Sequence, residues 1–200
     1  MMFSGRFQEL GEAFESVVYG EQVSEAGALR RALEMLVQAR EAKGIVYVVG
    51  NGGSAGIASH FSADLIKTCK IPSSTLYDSN LMTCLSNDYG YDQVFSYPLE
   101  HVLRPHDLLV AISSSGKSPN IIRAAEAACN QKVGLITLSG FSSENPLRKM
   151  GGLNFWVNRS NYGLVEMLHF FLLHTIVDFF GVSEYARIFG SQATKQSQNV

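Results

Sequence analysis

The feature that most constrains this fold is a regular alternation of short apolar runs with helical segments along the 200-residue chain. The runs are five or six residues long, which is typical of buried strands. They are predicted as strands at residues 45–49, 74–78, 107–112, 133–138 and 153–157. Strands that alternate with helices form a parallel sheet with helices on both faces. The sequence therefore predicts an α/β fold around a five-stranded parallel sheet.

Segments of helical periodicity lie between and around these strands. Helices are predicted at residues 3–19, 24–43, 54–67, 80–86, 91–103, 119–129, 145–150 and 164–180. The last of these is the most apolar segment, but it contains ionisable residues, so we expect a buried or interface helix rather than a membrane span. In such sheets ligands bind beyond the carboxyl ends of the strands, here after Val49, Tyr77 and Ile112.

Composition and charge exclude several kinds of partner. A formal net charge of −2 and a pI of about 6.2 lack the basic footprint of a nucleic-acid-binding protein. The three cysteines, Cys69, Cys84 and Cys129, share no metal-binding or redox spacing, which favours reduced thiols in a cytosol. The N-terminal pattern is that of an amphipathic helix and not of a signal peptide. We therefore expect a cytoplasmic protein that binds neither nucleic acid nor a membrane.

A glycine cluster, Gly50 to Ser54, follows the first strand and opens a helix. Glycines allow a close approach of the backbone to a ligand, and the first helical turn has free N–H groups that suit an anion. Residues 50–55 also match the pattern G-x-G-x-x-A, and Asp78 stands where a dinucleotide-binding fold has its acidic residue. The cluster therefore predicts an anion-binding loop, with dinucleotide binding or a turn without a ligand as alternatives.

A serine-rich loop, Ser113 to Asn120, follows the third strand and favours a phosphorylated sugar over a dinucleotide. Ser118 is a good N-cap, and Pro119 suits the first position of a helix. The serine hydroxyls, the Gly116 backbone and Lys117 offer many hydrogen-bond donors for one small anion. A sugar phosphate needs partners for both its phosphate and its hydroxyl groups. The structural alternative is a serine-rich turn with a single capping serine.

Ionisable side chains are concentrated on two predicted helices. His60 and Asp64 lie four residues apart, so they share one face of the helix after the glycine loop. The last helix adds Glu166, His169 and His174. Spacing favours His169 as the neighbour of Glu166, because His174 lies about 12 Å further along the axis. Two carboxylates and two histidines can hold a divalent ion or act as acid and base, and each can also be a structural polar residue.

Four blocks of this sequence resemble the phosphoheptose isomerases, a branch of the sugar-isomerase (SIS) domain family. They are GNGGSAGIASHFSADL, SNDYGYDQVF, ISSSGKSPNIIRAAEAA and EMLHFFLLH, which occur in the family's order and cover roughly residues 30–180. The resemblance implies a flavodoxin-like α/β sandwich in which residues 44–182 form the sugar-phosphate-binding domain. It also implies N-terminal helices, over 1–43, that pack on this domain and assist oligomerisation, and a tail over 183–200. The family forms homotetramers with sites between subunits and uses no nucleotide.

The resemblance also assigns residues to the substrate. The family's substrate-binding positions fall on both loops, on the segment after the second strand and on two helices. They are Asn51, Gly52, Gly53, Asp64, Asn87, Asp88, Ser113, Ser114, Ser115, Ser118 and Glu166. We expect these residues to bind a sugar phosphate.

The family's zinc and acid–base positions fall on His60, Asp64, Glu166 and His174, so the resemblance favours His174 where spacing favours His169. It implies one zinc or other divalent metal ion per site, with Asp64 and His174 as the catalytic residues. The family has glutamate where this chain has Asp64, and glutamine where it has Glu166. The first carboxylate is therefore one methylene shorter here, and the second adds a negative charge.

The activity implied is an aldose–ketose isomerisation of a phosphorylated sugar through a cis-enediol. The family interconverts sedoheptulose 7-phosphate and D-glycero-D-manno-heptose 7-phosphate, which feeds the synthesis of bacterial surface heptose and lipopolysaccharide. The alternative is a non-catalytic SIS module that binds a sugar phosphate as a regulator or assembly factor. Such modules tend to lose the acid–base set, and this chain keeps His60, His174 and two acids. The enzyme is therefore the favoured hypothesis.

Overall fold

The computed structural model describes residues 3–20 and 23–181, and these residues form a six-stranded sheet covered by helices. The strands are β1 (Val17–Val18), β2 (Val46–Val49), β3 (Ser73–Ser74), β4 (Leu108–Ser113), β5 (Gly134–Gly140) and β6 (Leu153–Val157). Their order is β1-β6-β5-β4-β2-β3, with β2 to β6 parallel and β1 antiparallel to β6. Without β1 this is the flavodoxin-like order 2-1-3-4-5, whose switch point lies between β2 and β4.

The predicted fold class is confirmed, but the predicted number of strands is wrong. Sequence analysis placed Val17 and Val18 inside the first helix, whereas the helix ends at Glu15 and the two valines pair with Val157 and Trp156 of β6. β-Branched residues suit this position, since β6 would otherwise form the edge of the sheet.

The second predicted strand, 74–78, is much shorter than expected. Pairing with β2 ends at Ser74, because the chain turns at Leu76, which has a left-handed φ of 59°. Asp78 then serves as the N-cap of the next helix and accepts a hydrogen bond from Leu81 N at 2.8 Å. The acidic residue required by the dinucleotide hypothesis is thus a helix cap.

Seven α-helices surround the sheet in the described part of the chain. They are α1 (Phe3–Glu15), α2 (Glu25–Glu41), α3 (Gly53–Asp64), α4 (Ser79–Tyr89), α5 (Ser96–Val102), α6 (Pro119–Asn130) and α7 (Tyr162–Gly181). A π-helical turn, Leu65–Cys69, extends α3, and 3-10 turns lie at Tyr91–Gln93 and Leu147–Lys149. The helix predicted over 145–150 is therefore only a 3-10 turn.

Two hydrophobic layers enclose the sheet. On β2, Val46 and Val48 point into the layer formed with α1, α2, α3 and α7, while Tyr47 and Val49 point into the layer formed with α4, α5 and α6. All four residues are buried, as expected for a strand covered on both faces. The sheet thus fixes the loops that follow β2 and β4 on a rigid base.

Helix α7 is long and apolar enough to cross a membrane over Tyr162–Phe180, and half of that window is buried inside the chain. Its inner face, which includes Val165, Leu168 and Leu173, belongs to the main core. A core helix of a soluble protein has this same length and composition. The predicted tail over 183–200 lies outside the described residues.

Candidate active site

A cavity of about 260 Å³ lies beyond the carboxyl ends of β2 and β4, at the switch point of the sheet. Both predicted loops contribute to its wall. The lining residues are Asn51, Gly52, Gly53, Ser54, Ile112, Ser113, Ser114, Ser115, Ser118, Tyr162 and Glu166. Eight of the eleven residues predicted to bind substrate are among them, and the other three, Asp64, Asn87 and Asp88, are not.

The glycine loop presents the start of α3 to this cavity. The helix begins at Gly53 without a side-chain cap in the described structure, so N–H groups of its first turn remain available to an anion. The carboxylate of Glu166 lies directly against Gly53, where a Cβ atom would displace it. Tyr77 fixes the loop from behind, because its hydroxyl accepts from Gly50 N at 2.8 Å and donates to Gly50 O at 2.9 Å. Burial raises the pKa of Tyr77, so the phenol keeps its proton.

The serine loop forms the opposite wall. Ser118 occupies the N-cap position of α6 but makes no capping hydrogen bond, and its hydroxyl instead lies 3.0 Å from that of Ser113. Gly116 has a left-handed φ of 64°, and its N–H donates to Ser113 O at 2.9 Å. The hydroxyl of Ser114 is buried and has no hydrogen-bond partner among the described residues. A buried hydroxyl without a partner in the wall of a cavity is suited to an oxygen-rich ligand.

A buried asparagine supports this serine loop from below. Asn145 packs against Gly116, where a Cβ atom would overlap its side chain. Its amide nitrogen donates to Ser139 Oγ at 3.2 Å and to Gly140 O at 3.1 Å, and its oxygen accepts from Arg148 N at 2.9 Å. The conformation of the loop is therefore held by a fully bonded core residue.

An ionisable cluster lies on α3 and α7. Asp64 Oδ2 is 3.2 Å from His60 Nε2 and 3.8 Å from His174 Nδ1. The two imidazole rings are 4.7 Å apart between centroids, and Phe170 contacts both. One donor atom from each of His60, Asp64 and His174 lies within 4.8 Å of the others, which is close enough to share a metal ion.

Glu166 lies apart from this cluster. Its carboxylate rests against Gly53 in the cavity wall, eight residues from His174 and about 12 Å away along the axis of α7. Of the four residues predicted to hold a metal ion, the structure therefore brings three together. These three suit a metal ion with three protein ligands and one open position.

His169 points into the core and not toward Glu166. It is fully buried, and its Nε2 lies 3.1 Å from Ser139 O. Burial lowers the pKa of His169 to about 4, so the imidazole is neutral near pH 7. The placement expected from spacing is wrong, because core packing of Val165 and Leu172 on the same stripe of α7 decides which histidine is buried.

Asn87 and Asp88 face solvent at the end of α4. Asn87 Nδ2 donates to Asp88 Oδ1 at 2.8 Å, and the thiol of Cys84 lies 3.6 Å from the other oxygen of Asp88. Within one chain these two residues take no part in the cavity wall.

Comparisons with known proteins agree with this architecture. The sequence model of the SIS domain family matches residues 12–140. The chain belongs to the SIS domain family. Among its relatives, the phosphoheptose isomerase of Campylobacter concisus (strain 13826) is 35% identical over 164 residues, which are 79% of this chain and 86% of the relative.

Solved SIS structures show the same likeness. The phosphoheptose isomerase of Neisseria gonorrhoeae superposes with a TM-score of 0.77 at 30% identity, over 88% of this chain and 96% of that one. The enzyme of Francisella tularensis gives a TM-score of 0.77 at 27% identity, over 89% and 95% of the two chains. The resemblance found in the sequence is thus confirmed, and this SIS-domain chain is an enzyme of the isomerase type that acts on phosphosugars.

Four residues of the SIS site were missed by sequence analysis. Tyr77 and Tyr91 contact the glycine loop, Asn120 bonds to Asn51, and Tyr162 lines the cavity, where its ring lies 4.8 Å from that of Phe141. Asn120 is the last residue of the serine-rich loop, so its position in the sequence could have identified it as a site residue. The three tyrosines could not have been identified in this way, because isolated aromatic residues are common in the sequence.

Proposed function

We propose that this SIS-domain protein interconverts sedoheptulose 7-phosphate and D-glycero-D-manno-heptose 7-phosphate. The observation that carries the proposal is that a serine-lined anion cavity and a carboxylate–imidazole cluster share helices α3 and α7. Along α7 they are about 12 Å apart, from Glu166 to His174. An extended seven-carbon sugar phosphate is on the order of 10 Å long, since its bonds are about 1.5 Å each. The spacing therefore suits a substrate held by its phosphate at one end and reacting at the other.

The cavity would bind the phosphate end. The first turn of α3 and the hydroxyls of Ser113, Ser114 and Ser118 supply donors, and Ser114 Oγ gains the partner that it otherwise lacks. Glu166 would accept hydrogen bonds from sugar hydroxyls at the edge of the phosphate site. These contacts provide binding and orientation, which remote groups of a substrate commonly supply to the reacting centre.

The ionisable cluster would transfer the protons. The described contacts of Asp64 use Oδ2, so Oδ1 is left to take the proton from C2 of the aldose and return it to C1 of the enediol. His174 has Nδ1 beside Asp64, which leaves Nε2 to exchange the proton between O1 and O2. A divalent ion held by His60, Asp64 and His174 would supply Lewis-acid polarisation of the substrate carbonyl.

The proposed assembly is a cytoplasmic homotetramer with sites between subunits. An apolar groove of about 860 Å³ lies between α1, α2 and α7, and Phe14, Leu29 and Phe171 contribute to its wall. More than half of the Phe171 side chain is exposed, and so is that of Met167. Burial of this surface against other copies would remove these exposed apolar side chains from water.

The test is incubation of the purified protein with sedoheptulose 7-phosphate, with and without zinc. We expect the aldose 7-phosphate to accumulate to an equilibrium mixture, and faster with zinc present. Binding without any aldose would favour the non-catalytic SIS module instead. Absence of both binding and turnover would overturn the proposal.

A further inference from the structure

A reciprocal amide pair joins the two loops of the cavity. Asn51 Nδ2 donates to Asn120 Oδ1 at 2.8 Å, and Asn120 Nδ2 donates to Asn51 Oδ1 at 2.9 Å. The residues are 69 positions apart in sequence, because Asn51 follows β2 and Asn120 lies in the first turn of α6, beyond β4. The pair therefore ties the carboxyl ends of β2 and β4 together across the switch point.

The two members of the pair differ in exposure. Asn120 is 2% exposed, whereas Asn51 is only half-buried and lines the cavity. Pro119 precedes Asn120 at the first position of α6 and fixes the backbone there. Asn120 is thus held in place by the core, and Asn51 is the member of the pair whose side chain can contact a ligand.

In the structure the Asn51 amide has one orientation within these hydrogen bonds. Asn51 Oδ1 accepts from Asn120 and from the hydroxyl of Tyr91, which lies 3.2 Å away, so both of its lone pairs are used. One N–H of Asn51 is used by Asn120, and the second N–H has no partner among the described residues. In this orientation the amide offers a ligand a donor and no acceptor.

We infer that Asn120 is a positioning residue that, with Tyr91, aims the remaining N–H of Asn51 at an oxygen of the bound sugar phosphate. This inference rests on the proposed function. An unsupported asparagine could turn either its oxygen or its nitrogen toward the cavity, and an oxygen would repel a phosphate. Fixing the amide before binding removes the unfavourable orientation and the entropy cost of ordering the side chain on binding.

A double-mutant cycle tests the inference in steady-state kinetics with sedoheptulose 7-phosphate. The variants are Asn51→Ala, Asn120→Ala and the two combined, with Asn130→Ala at the exposed end of α6 as the control. Each single variant is expected to raise KM about 3- to 10-fold, the loss of one hydrogen bond, with kcat within about 2-fold. The double variant is expected to match Asn51→Ala, because Asn120 acts through Asn51. Additive effects on KM, or an unchanged KM in Asn120→Ala, would overturn the inference.

A second readout does not depend on turnover. In side-chain amide spectra of the ¹⁵N-labelled protein, the Asn51 NH₂ group is expected to exchange with solvent at least 10-fold faster in Asn120→Ala than in the wild type. Asn130→Ala should leave that exchange rate unchanged. If the wild type fails to convert the sugar, the proposed function falls while this measurement still decides the positioning role. An equal exchange rate in wild type and Asn120→Ala would overturn it.

Discussion

Asp64 and His174 belong to different helices, yet the structure places Asp64 Oδ2 3.8 Å from His174 Nδ1. Asp64 ends α3 and His174 lies in the second half of α7, so the packing of these two helices creates the contact. His60, one turn before Asp64, completes the group. A carboxylate flanked by two imidazoles can take up a proton, bind a metal ion or do both in turn.

Replacing Asp64 separates its chemistry from substrate binding. Asp64→Asn keeps the shape of the side chain but removes the base, so kcat for sedoheptulose 7-phosphate should fall about 100- to 10,000-fold. Binding of the sugar phosphate, followed by calorimetry, should change less than about 3-fold because the cavity is untouched. Asp178→Asn, an exposed carboxylate on the same helix as His174, is the control. A variant at position 64 with normal kcat would remove this carboxylate from the mechanism.

Zinc should stabilise the folded protein through the three-residue cluster. At a free zinc concentration about 100 times Kd, binding adds about 2.7 kcal/mol to the free energy of unfolding. His174→Ala removes one of the three donors, and most of this gain should be lost. Thermal unfolding with zinc and with a chelator measures the effect. The control is His106→Ala, which replaces an exposed histidine outside the cluster and should respond to zinc like the wild type.

Ser114 and Ser113 should give opposite changes in stability. Ser114→Ala removes a buried hydroxyl that has no partner in the described structure, so the free energy of unfolding should rise by about 1 kcal/mol. Ser113→Ala breaks the contact with Ser118 and should lower it by about 1 kcal/mol. Both variants should bind the sugar phosphate more weakly. Urea unfolding and calorimetry measure the two quantities, and a clear loss of stability in Ser114→Ala would contradict this account.

Gly116 is predicted to be intolerant of alanine. Alanine would adopt the left-handed φ of 64° at a cost of about 1–2 kcal/mol, and its Cβ would lie 2.8 Å from that of Asn145 and overlap its amide. Because Asn145 is held by several hydrogen bonds, we expect a total loss of about 3 kcal/mol. The matched control is Gly56→Ala in α3, where no atom lies within 4 Å of the new Cβ. That change should stabilise the protein by up to about 1 kcal/mol in the same urea titration.

His169 should make the protein less stable in mild acid. Its pKa is lowered from 6.5 to about 4 by burial, so between these values the unfolded chain binds a proton that the folded chain does not. The free energy of unfolding should therefore fall as pH drops from about 6.5 to 4, by about 3 kcal/mol from this residue. Urea titrations across this range should show a flatter profile in His169→Gln. His106→Gln should keep the wild-type slope, and an unchanged slope in His169→Gln would contradict the assignment.

The parts of this protein that follow from local chemistry could be predicted. Glycines and serines after β2 and β4 determine loop conformation within a few residues, and the apolar runs determine the central strands. Long-range partners could not be predicted in the same way. Val17 and Val18 form a strand only because β6 lies beside them. The turn at Leu76 that follows β3 could not be predicted from the local sequence.

The same distinction between local and long-range contacts explains which parts of the candidate site could be predicted. His60 and Asp64 share a helix face whatever the rest of the chain does, so their proximity was predictable. Whether His169 or His174 joins them depends on how α7 rotates against the sheet, and that rotation is set by the whole core. The link from Asn51 to Asn120 depends on the register of β2 and β4, which places the ends of these strands side by side.

The two-residue strand β1 has a consequence for any shortened version of this protein. β1 pairs with β6 and is therefore the edge strand on this side of the sheet. Because β1 has only two residues, it is too short to pair easily with a strand of another molecule. A chain trimmed to begin at Glu25 would leave the backbone of β6 open along its length. Such a fragment is expected to be poorly soluble even though every residue of the cavity is still present.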